Sequence, residues 1–229
     1  MAYGCYNSAD LCAVRWSLIN DDGTPIFDNT DGSAYTLRPV SLQVSPTVST
    51  GDTFEQRDGC GNVCYTATNP DTNTGADLTL TLCTFDIEAI ALATGASNVI
   101  DGTSENIGFA IGTDTANPTE FHAWSKSFDG SDRVASPRSW WHHVFPNTTW
   151  NLGNFTLQQN ALTIVLSGTA TTNANLGDGG FSDVPETIQP GIGYWYMPFL
   201  ADDIPDADES PYNANGIACG YVDTPSDDS

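Results

Sequence analysis

The chain has 229 residues, in which 29 acidic residues face 6 basic ones and give a formal net charge of −23. A nucleic-acid binder needs cations that displace phosphate counterions, and a protein that binds anionic membranes needs them for a similar reason. The composition therefore argues against both functions, while the length allows one large domain or two small ones.

Most of the predicted elements are strands, because apolar and polar residues alternate with period two. The clearest example is the segment in which Leu78, Leu80 and Leu82 share one face and alternate with threonines. In chain order, strands are predicted at 12–19, 39–45, 78–83, 107–112, 121–128, 139–145, 155–166 and 192–199. So many short strands joined by turns are typical of a β-sandwich or an open barrel.

The segment 86–94 alone predicts a helix, which would be short and would flank the sheet. Asp86 suits the N-cap, Glu88 suits the positive end of the helix, and Gly95 suits the C-cap. The side chains expected to face the sheet are Ile87, Ile90, and Leu92 or Ala91. The predicted fold class is therefore mainly β, with one short α-helix.

Long polar connections interrupt the predicted strands at 20–35 and 50–77. Connections of this length inside a compact domain usually carry function. The segment 201–229 holds eight of the 11 acidic residues that follow Arg138. We expect it to be a loose acidic arm or tail, so the predicted organisation is a single domain over 1–200 followed by this arm.

The sequence contains none of the common catalytic or nucleotide-binding motifs, and we expect neither an enzyme nor a bound cofactor. Six glutamates that a glycosidase could use are scattered along the chain. His142 and His143 are neighbours on a predicted strand, so they point to opposite faces, and His122 must come from another strand. We therefore expect solvated or core histidines and no metal site.

Cysteines and tryptophans leave several alternatives open. The pair Cys60 and Cys64 is compatible with a zinc site, a small disulfide loop or two free thiols, and six cysteines allow 15 pairings. Trp140 and Trp141 cannot both face one core if they lie on a strand. One of them must be covered by a loop or by a neighbouring subunit, which favours assembly.

Nothing in the sequence predicts export or membrane insertion. The segment from Met1 to Arg15 has no charged region before an apolar core, and no apolar run is long enough to span a bilayer. We expect a soluble protein that is made in the cytoplasm.

Several segments resemble the major tail proteins, or tail tube proteins, of long-tailed phages with non-contractile tails, especially phages of actinobacterial hosts. The most specific is 78–95, a strand that enters Cys-Thr-Phe-Asp and a short helix ending in Thr-Gly. Others are Cys5 to Trp16 followed by Asp-Gly-Thr-Pro, then 40–64 with its cysteine-bearing loop, 139–146 with 155–173, and the Gly-rich turn at 173–183. The Trp-Trp-His-His run and the acidic end depart from the family pattern.

The resemblance implies a β-sandwich subunit that forms rings, usually hexamers, which stack into a hollow tube. Its expected partners are further copies of itself, the tail terminator, the tape measure protein and the baseplate or distal tail proteins, while DNA passes through the lumen without specific binding. Its expected location is the virion tail, assembled in the bacterial cytoplasm. A reducing cytoplasm predicts no disulfide on which assembly depends. The alternatives are another virion protein, such as a tail terminator or capsid decoration subunit, and a carbohydrate-binding or carbohydrate-cleaving sandwich.

Subunit contacts are expected at the few basic residues of the chain and at its two adjacent tryptophans. A cation in so acidic a chain has a ready partner in a carboxylate across a subunit boundary. The connection 50–77, or alternatively 20–35, would reach to the next ring. The candidate interface residues are Arg57, Asp58, Arg133, Arg138, Trp140 and Trp141.

Overall fold

The computed structural model describes residues 6–25, 34–37, 39–83, 87–103, 106–113, 116–129, 134–158, 161–174, 193–201, 212–213, 216–217 and 220–221. They form fifteen strands and one helix. The elements are β1 Tyr6–Leu18, β2 Ala34–Leu37, β3 Pro39–Ser49, β4 Thr53–Arg57, β5 Val63–Thr68, β6 Thr72–Leu82, α1 Ile87–Thr94, β7 Ser97–Ile100, β8 Asn106–Ala110, β9 Thr119–Asp129, β10 Val134–Gln158, β11 Ala161–Thr171, β12 Met197–Ala201, β13 Tyr212–Asn213, β14 Gly216–Ile217 and β15 Gly220–Tyr221.

Nine of these strands form one antiparallel sheet in the order β15-β2-β1-β9-β10-β11-β6-β3, with β12 beside β10. The long strand β10 connects two regions, since its first half pairs with β9 and β12 and its second half pairs with β11. The sheet curls into a half-barrel. The predicted mainly β fold with one short helix is thus confirmed, in its open-barrel form.

The main core lies on one face of the curled sheet. Leucines and isoleucines of β6 and β11 meet a group of aromatic rings from β1, β9 and β10. At its centre, Trp150 packs edge-on against Trp16 at 5.9 Å and against Phe121 at 4.8 Å between ring centroids. Each fully buried leucine or phenylalanine contributes about 1.5–3 kcal/mol. This burial is what fixes the curvature of the sheet around the aromatic group.

The predicted helix is confirmed as α1, and Ile90 and Ala91, which were expected to face the sheet, are buried. Ala89, Ile90 and Ala93 have no exposed surface, whereas Ile87 and Leu92 are only half-buried. The small alanine side chains let the helix backbone approach the core closely. Gly95 has φ of 70° and ends the helix as expected. Asp86 and the side chain of Glu88 lie outside the described residues.

Two strands were predicted with the wrong bounds. The segment 155–166 is the end of β10 and the start of β11, which pair as a hairpin with Phe155 opposite Ile164. Alternation continues on both sides of a tight reversal, so periodicity alone did not reveal the turn. The last strand begins only at Met197, and it contains Pro198 because β12 lies at an edge, where proline is tolerated.

The long connections also contain structure that the sequence did not predict. Residues 50–77 hold β4, β5 and the beginning of β6, so this connection is a hairpin and not a polar loop. Residues 20–25 form a turn in which the Asn20 amide donates to the Thr24 carbonyl. Residues 26–33 lie outside the described part, and β2 follows them.

The described residues of the acidic segment 201–229 are few. Gly220 and Tyr221 pair with Thr36 and Tyr35 of β2. The division into a domain over 1–200 and an arm over 201–229 stays a prediction. In the described part of the chain, no helix is long and apolar enough to cross a membrane.

Candidate functional site

The candidate assembly surface is built on a hairpin arm, which comprises residues 50–71. Strands β3 and β6 pair as far as Ser49 and Thr72, and the arm then continues the same two-stranded ribbon through β4 and β5. The Asn69 amide donates to the Asp52 carbonyl, and the Gly51 amide donates to the Asp71 carboxylate. These two hydrogen bonds join the β4–β5 hairpin to the β3–β6 pair. At about 3.4 Å per residue, the arm reaches roughly 27 Å past Ser49.

The hairpin arm exposes apolar side chains that a lone subunit leaves in water. Phe54 is 61% exposed, Tyr65 is 56% exposed and Val63 is 48% exposed. The rings of Phe54 and Tyr65 lie on one face of the arm with centroids 6.5 Å apart. An exposed aromatic pair is typical of the core of a protein interface. The sequence did not single out these residues, although Phe-Glu-Gln-Arg and Val-Cys-Tyr-Thr alternate as strands do.

Two of the predicted interface residues lie on the hairpin arm, where both have partners within the arm itself. The Arg57 guanidinium donates to the Glu55 carboxylate at 2.5 Å and to the Gly61 carbonyl at 2.9 Å. The Asp58 carboxylate accepts from the amides of Cys60 and Asn62, and these bonds, led by that from Asn62, lower its pKa. Both residues therefore stabilise the turn at the tip, and their role between subunits stays a prediction.

The other predicted interface residues lie on or near the first half of β10. Trp140 and Trp141 point to opposite faces, and both are half-buried. Trp140 packs against Ala13 and Trp124, while Trp141 stacks on His143 with 6.4 Å between ring centroids. Arg133 and the side chain of Arg138 lie outside the described residues. A role of these four residues between subunits stays a prediction.

Further exposed apolar side chains lie along the edge strand β3 and on the hairpin of β7 and β8. Among the described strands, β3 pairs only with β6, so its other edge has free backbone groups. Val40 is 57% exposed and Val48 is 52% exposed on this strand. Ile100 and Ile107 are more than half exposed on the second hairpin. An unpaired edge of this kind accepts a further strand unless something covers it.

A cleft of about 400 Å³ separates β3 from β1 and β10. Its walls include Leu42, Val44 and Phe145, and His143 lies among them with Tyr196. The His143 Nδ1 atom is 2.9 Å from the Tyr196 hydroxyl, and its Nε2 atom is 3.2 Å from the Ser125 hydroxyl. Burial lowers the pKa of His143 to about 4, so the ring is neutral near pH 7. Since one nitrogen donates and the other accepts, the side chain is a structural bridge.

The remaining histidines meet on the opposite face of the sheet. His122 of β9 and His142 of β10 have no exposed surface, and His122 Nδ1 lies 2.7 Å from His142 Nε2. His122 Nε2 lies 2.5 Å from the carboxyl of Glu120, which is also buried. The predicted opposite orientation of His142 and His143 is confirmed. In the described ranges, no group of three or more His, Cys, Asp or Glu residues is placed to hold a metal ion.

Four of the six cysteines lie in the described part of the chain, and all four are free thiols. Cys60, Cys64 and Cys83 are exposed, while Cys12 is half-buried and donates to the Asp10 carbonyl. Cys5 and Cys219 lie outside the described residues. The independence of assembly from disulfides stays a prediction.

The chain was compared with known proteins in three ways. No protein family matches it, and no curated protein matches it. Among solved structures, it is similar to a chain of the sheath–tube complex of an extracellular contractile injection system in its extended state, determined by cryo-electron microscopy. The two chains are 14% identical, the match covers 69% of this chain and 83% of the other, and the TM-score is 0.31. A likeness at this TM-score supports no functional conclusion.

Proposed function

We propose that the chain is a structural subunit of a phage-type tail tube, which associates with further copies of itself and has no catalytic role. Its sequence resembles tail tube proteins most specifically over 78–95. That segment is β6 followed by α1, the strand and helix that the resemblance implies. The proposal combines this resemblance with surfaces that a solitary subunit would leave exposed.

The observation that carries self-association is the aromatic pair on the hairpin arm. Phe54 and Tyr65 lie on a ribbon whose residues are almost all exposed, so nothing within the described chain shelters them. Contiguous exposed apolar surface marks interaction sites in soluble proteins. The arm extends roughly 27 Å past Ser49, and in the proposed assembly it places this pair against a neighbour.

The exposed edge of β3 supports the same proposal at the level of the sheet. A half-barrel leaves free amides and carbonyls along its outer strands, and closure by neighbouring sheets would satisfy them. A repeated head-to-tail contact forms a ring when its rotation closes. In the proposed assembly, β3 of one copy lies beside the sheet of the next, and the hairpin arm contacts the adjacent ring.

The charge of the chain suits a channel through which DNA passes. A cationic wall would hold DNA by counterion release, whereas an anionic wall repels the phosphates. With a formal charge of −23 per copy, the subunit is strongly anionic. The proposed lumen therefore keeps DNA mobile.

Replacement of the aromatic pair tests this function. The double variant F54S/Y65S is expected to fold as the wild type does, because both side chains are exposed, and to form rings that no longer stack. Sedimentation velocity over a range of protein concentrations measures this, with the melting temperature as the check on folding. The control is T66S, a polar change on the other face of the arm. Stacking of the double variant at the wild-type concentration would contradict the role of the arm.

A further inference from the structure

Glu120, His122 and His142 form a continuous chain of hydrogen bonds inside the sheet, here called the histidine chain. It lies on the face opposite to the main core. Glu120 is 1% exposed, and both histidines are fully buried. Two short contacts join the three side chains, Glu120 Oε1 to His122 Nε2 at 2.5 Å and His122 Nδ1 to His142 Nε2 at 2.7 Å. The proposed tube function does not use it.

Aromatic rings pack around the histidine chain and keep water away. Trp124 stacks on His142 at 4.5 Å and on His122 at 5.7 Å between ring centroids. Phe199 of β12 also packs against His142, with 4.6 Å between ring centroids. The histidine chain therefore ties β9 to β10, and its aromatic packing extends to β12.

The charged groups near the histidine chain decide which protons it holds. On β1, Arg15 lies opposite His122 in the strand register, and its guanidinium sits 5.6 Å from the centroid of the Trp124 ring. Strand β12 contributes Phe199, which does not titrate, and His143 of β10 points to the opposite face. A buried cation already stands beside the histidine chain, so a second positive charge on an imidazole is disfavoured.

Each of the two short contacts needs one hydrogen atom between its partners. An uncharged Glu120 with two uncharged imidazoles supplies both hydrogens. When Glu120 is protonated, its carboxylic acid would donate to His122 Nε2, and His122 Nδ1–H would donate to His142 Nε2. Burial raises the pKa of Glu120 to about 8. Burial, followed by the charge of Arg15, lowers the pKa of His122 well below its ordinary value. Burial, followed by the charges of His122, His143 and Arg15, also lowers the pKa of His142 well below its ordinary value.

We propose that the histidine chain is an acid-sensitive latch, neutral at pH 7, whose protonation opens the sheet at β9, β10 and β12. In this state a protonated carboxyl and two neutral imidazoles hold the strands together, and none of the three side chains carries a charge. An additional proton creates an imidazolium beside Arg15 that the aromatic walls cannot solvate. Opening exposes the imidazoles to water, which stabilises the charge.

The sign of the pH dependence follows from the protons bound in each state. Between about pH 6.5 and 8, folded Glu120 keeps a proton that the unfolded chain has lost, so rising pH destabilises the fold. Below about pH 6.5, the two histidines bind protons only when unfolded, which outweighs the single proton on Glu120, so falling pH destabilises the fold. The contribution of the histidine chain to stability is therefore greatest near pH 6.5.

The variant E120Q tests the protonation of the histidine chain, because the glutamine amide donates to His122 Nε2 as a carboxylic acid does. E120Q is expected to fold at pH 7. The ratio of the wild-type unfolding constant to that of E120Q should rise about tenfold per pH unit between about pH 5 and 8. Urea unfolding of both proteins at each pH measures the ratio. A ratio that does not change with pH would mean an ionised Glu120 and would overturn the proposal.

Infrared spectroscopy tests the same point on the wild type, even if E120Q fails to fold. At pH 7, in heavy water, one buried carboxylic-acid carbonyl band should persist while the exposed carboxylates are ionised. Its absence would contradict the neutral state.

Hydrogen exchange followed by mass spectrometry tests the latch. Between pH 7 and 5, after correction for intrinsic rates, β9, β10 and β12 should lose protection before β6 and β11. The control H143Q, on the opposite face of β10, should open in the same pH range. Simultaneous loss of protection in all five strands would contradict the proposed latch.

Discussion

At the scale of single residues, packing leaves no room for a side chain where Trp150 rests on Gly168 of the neighbouring strand. A Cβ atom built at Gly168 would meet two Trp150 ring atoms at 2.7 and 2.8 Å and the Thr149 carbonyl oxygen at 3.0 Å. Trp150 cannot move aside, since Trp16 and Phe121 pack against it. The aromatic core can therefore pack in this way only because residue 168 is a glycine.

The variant G168A is therefore expected to destabilise the fold by about 1–3 kcal/mol, the usual cost of overpacking a core. Urea unfolding at constant pH measures the change. The matched control is G59A on the hairpin arm, where an added Cβ has nothing within 4 Å and should change stability little. Equal stabilities of G168A and G59A would show that the packing around Trp150 is looser than described.

The histidine chain marks the limit of what the sequence could predict at this scale. Alternation along one strand correctly placed His142 and His143 on opposite faces. It could not place His122 beside His142, because that contact depends on the pairing of β9 with β10. The burial of Arg15 and Glu120 was missed for a related reason. Period-two patterns assume one solvated face, whereas residues 13–17 of β1 are buried on both faces.

At the scale of elements, local patterns predicted the strands and the helix better than they predicted the turns. Leucine alternation identified β6, and the Thr-Gly end identified the end of α1. The hairpin arm was taken for a polar connection because glycine, asparagine and threonine surround its two short strands. Phe54 and Tyr65 contact each other and are otherwise exposed, so the hairpin arm has no buried face that would reveal a period. In the proposed assembly, their environment belongs to a neighbouring subunit, which a single sequence does not encode locally.

The pairing of Ser49 with Thr72 allows the hairpin arm to be removed cleanly. Replacing residues 50–71 with Asn-Gly leaves β3 and β6 joined by a two-residue turn of a favoured type. We expect this variant to keep the fold and to form rings that no longer stack. Electron microscopy and mass photometry distinguish rings from tubes. Continued growth of tubes would show that another element, with residues 20–35 as the next candidate, joins the rings.

At the scale of the whole molecule, repulsion between like charges opposes the contacts that would drive the proposed assembly. Each copy brings a formal charge of −23 to the assembly, and like charges repel over about 10 Å at 0.1 M salt. The exposed apolar residues and the free edge of β3 must outweigh that repulsion. We therefore expect assembly to be favoured by moderate salt or divalent cations and to weaken at very low ionic strength. In the proposed tube, the acidic wall that lets DNA slide would also make assembly sensitive to salt.

Negative-stain electron microscopy of the purified protein, concentrated at moderate ionic strength, tests the central claim most directly. The account predicts rings, six-membered by resemblance, that stack into hollow tubes of uniform diameter. The same sample at very low salt should contain shorter tubes or separate rings. Single rings that never stack would point to a terminator-like subunit instead. A protein that remains monomeric at every concentration and salt condition would contradict the proposed function.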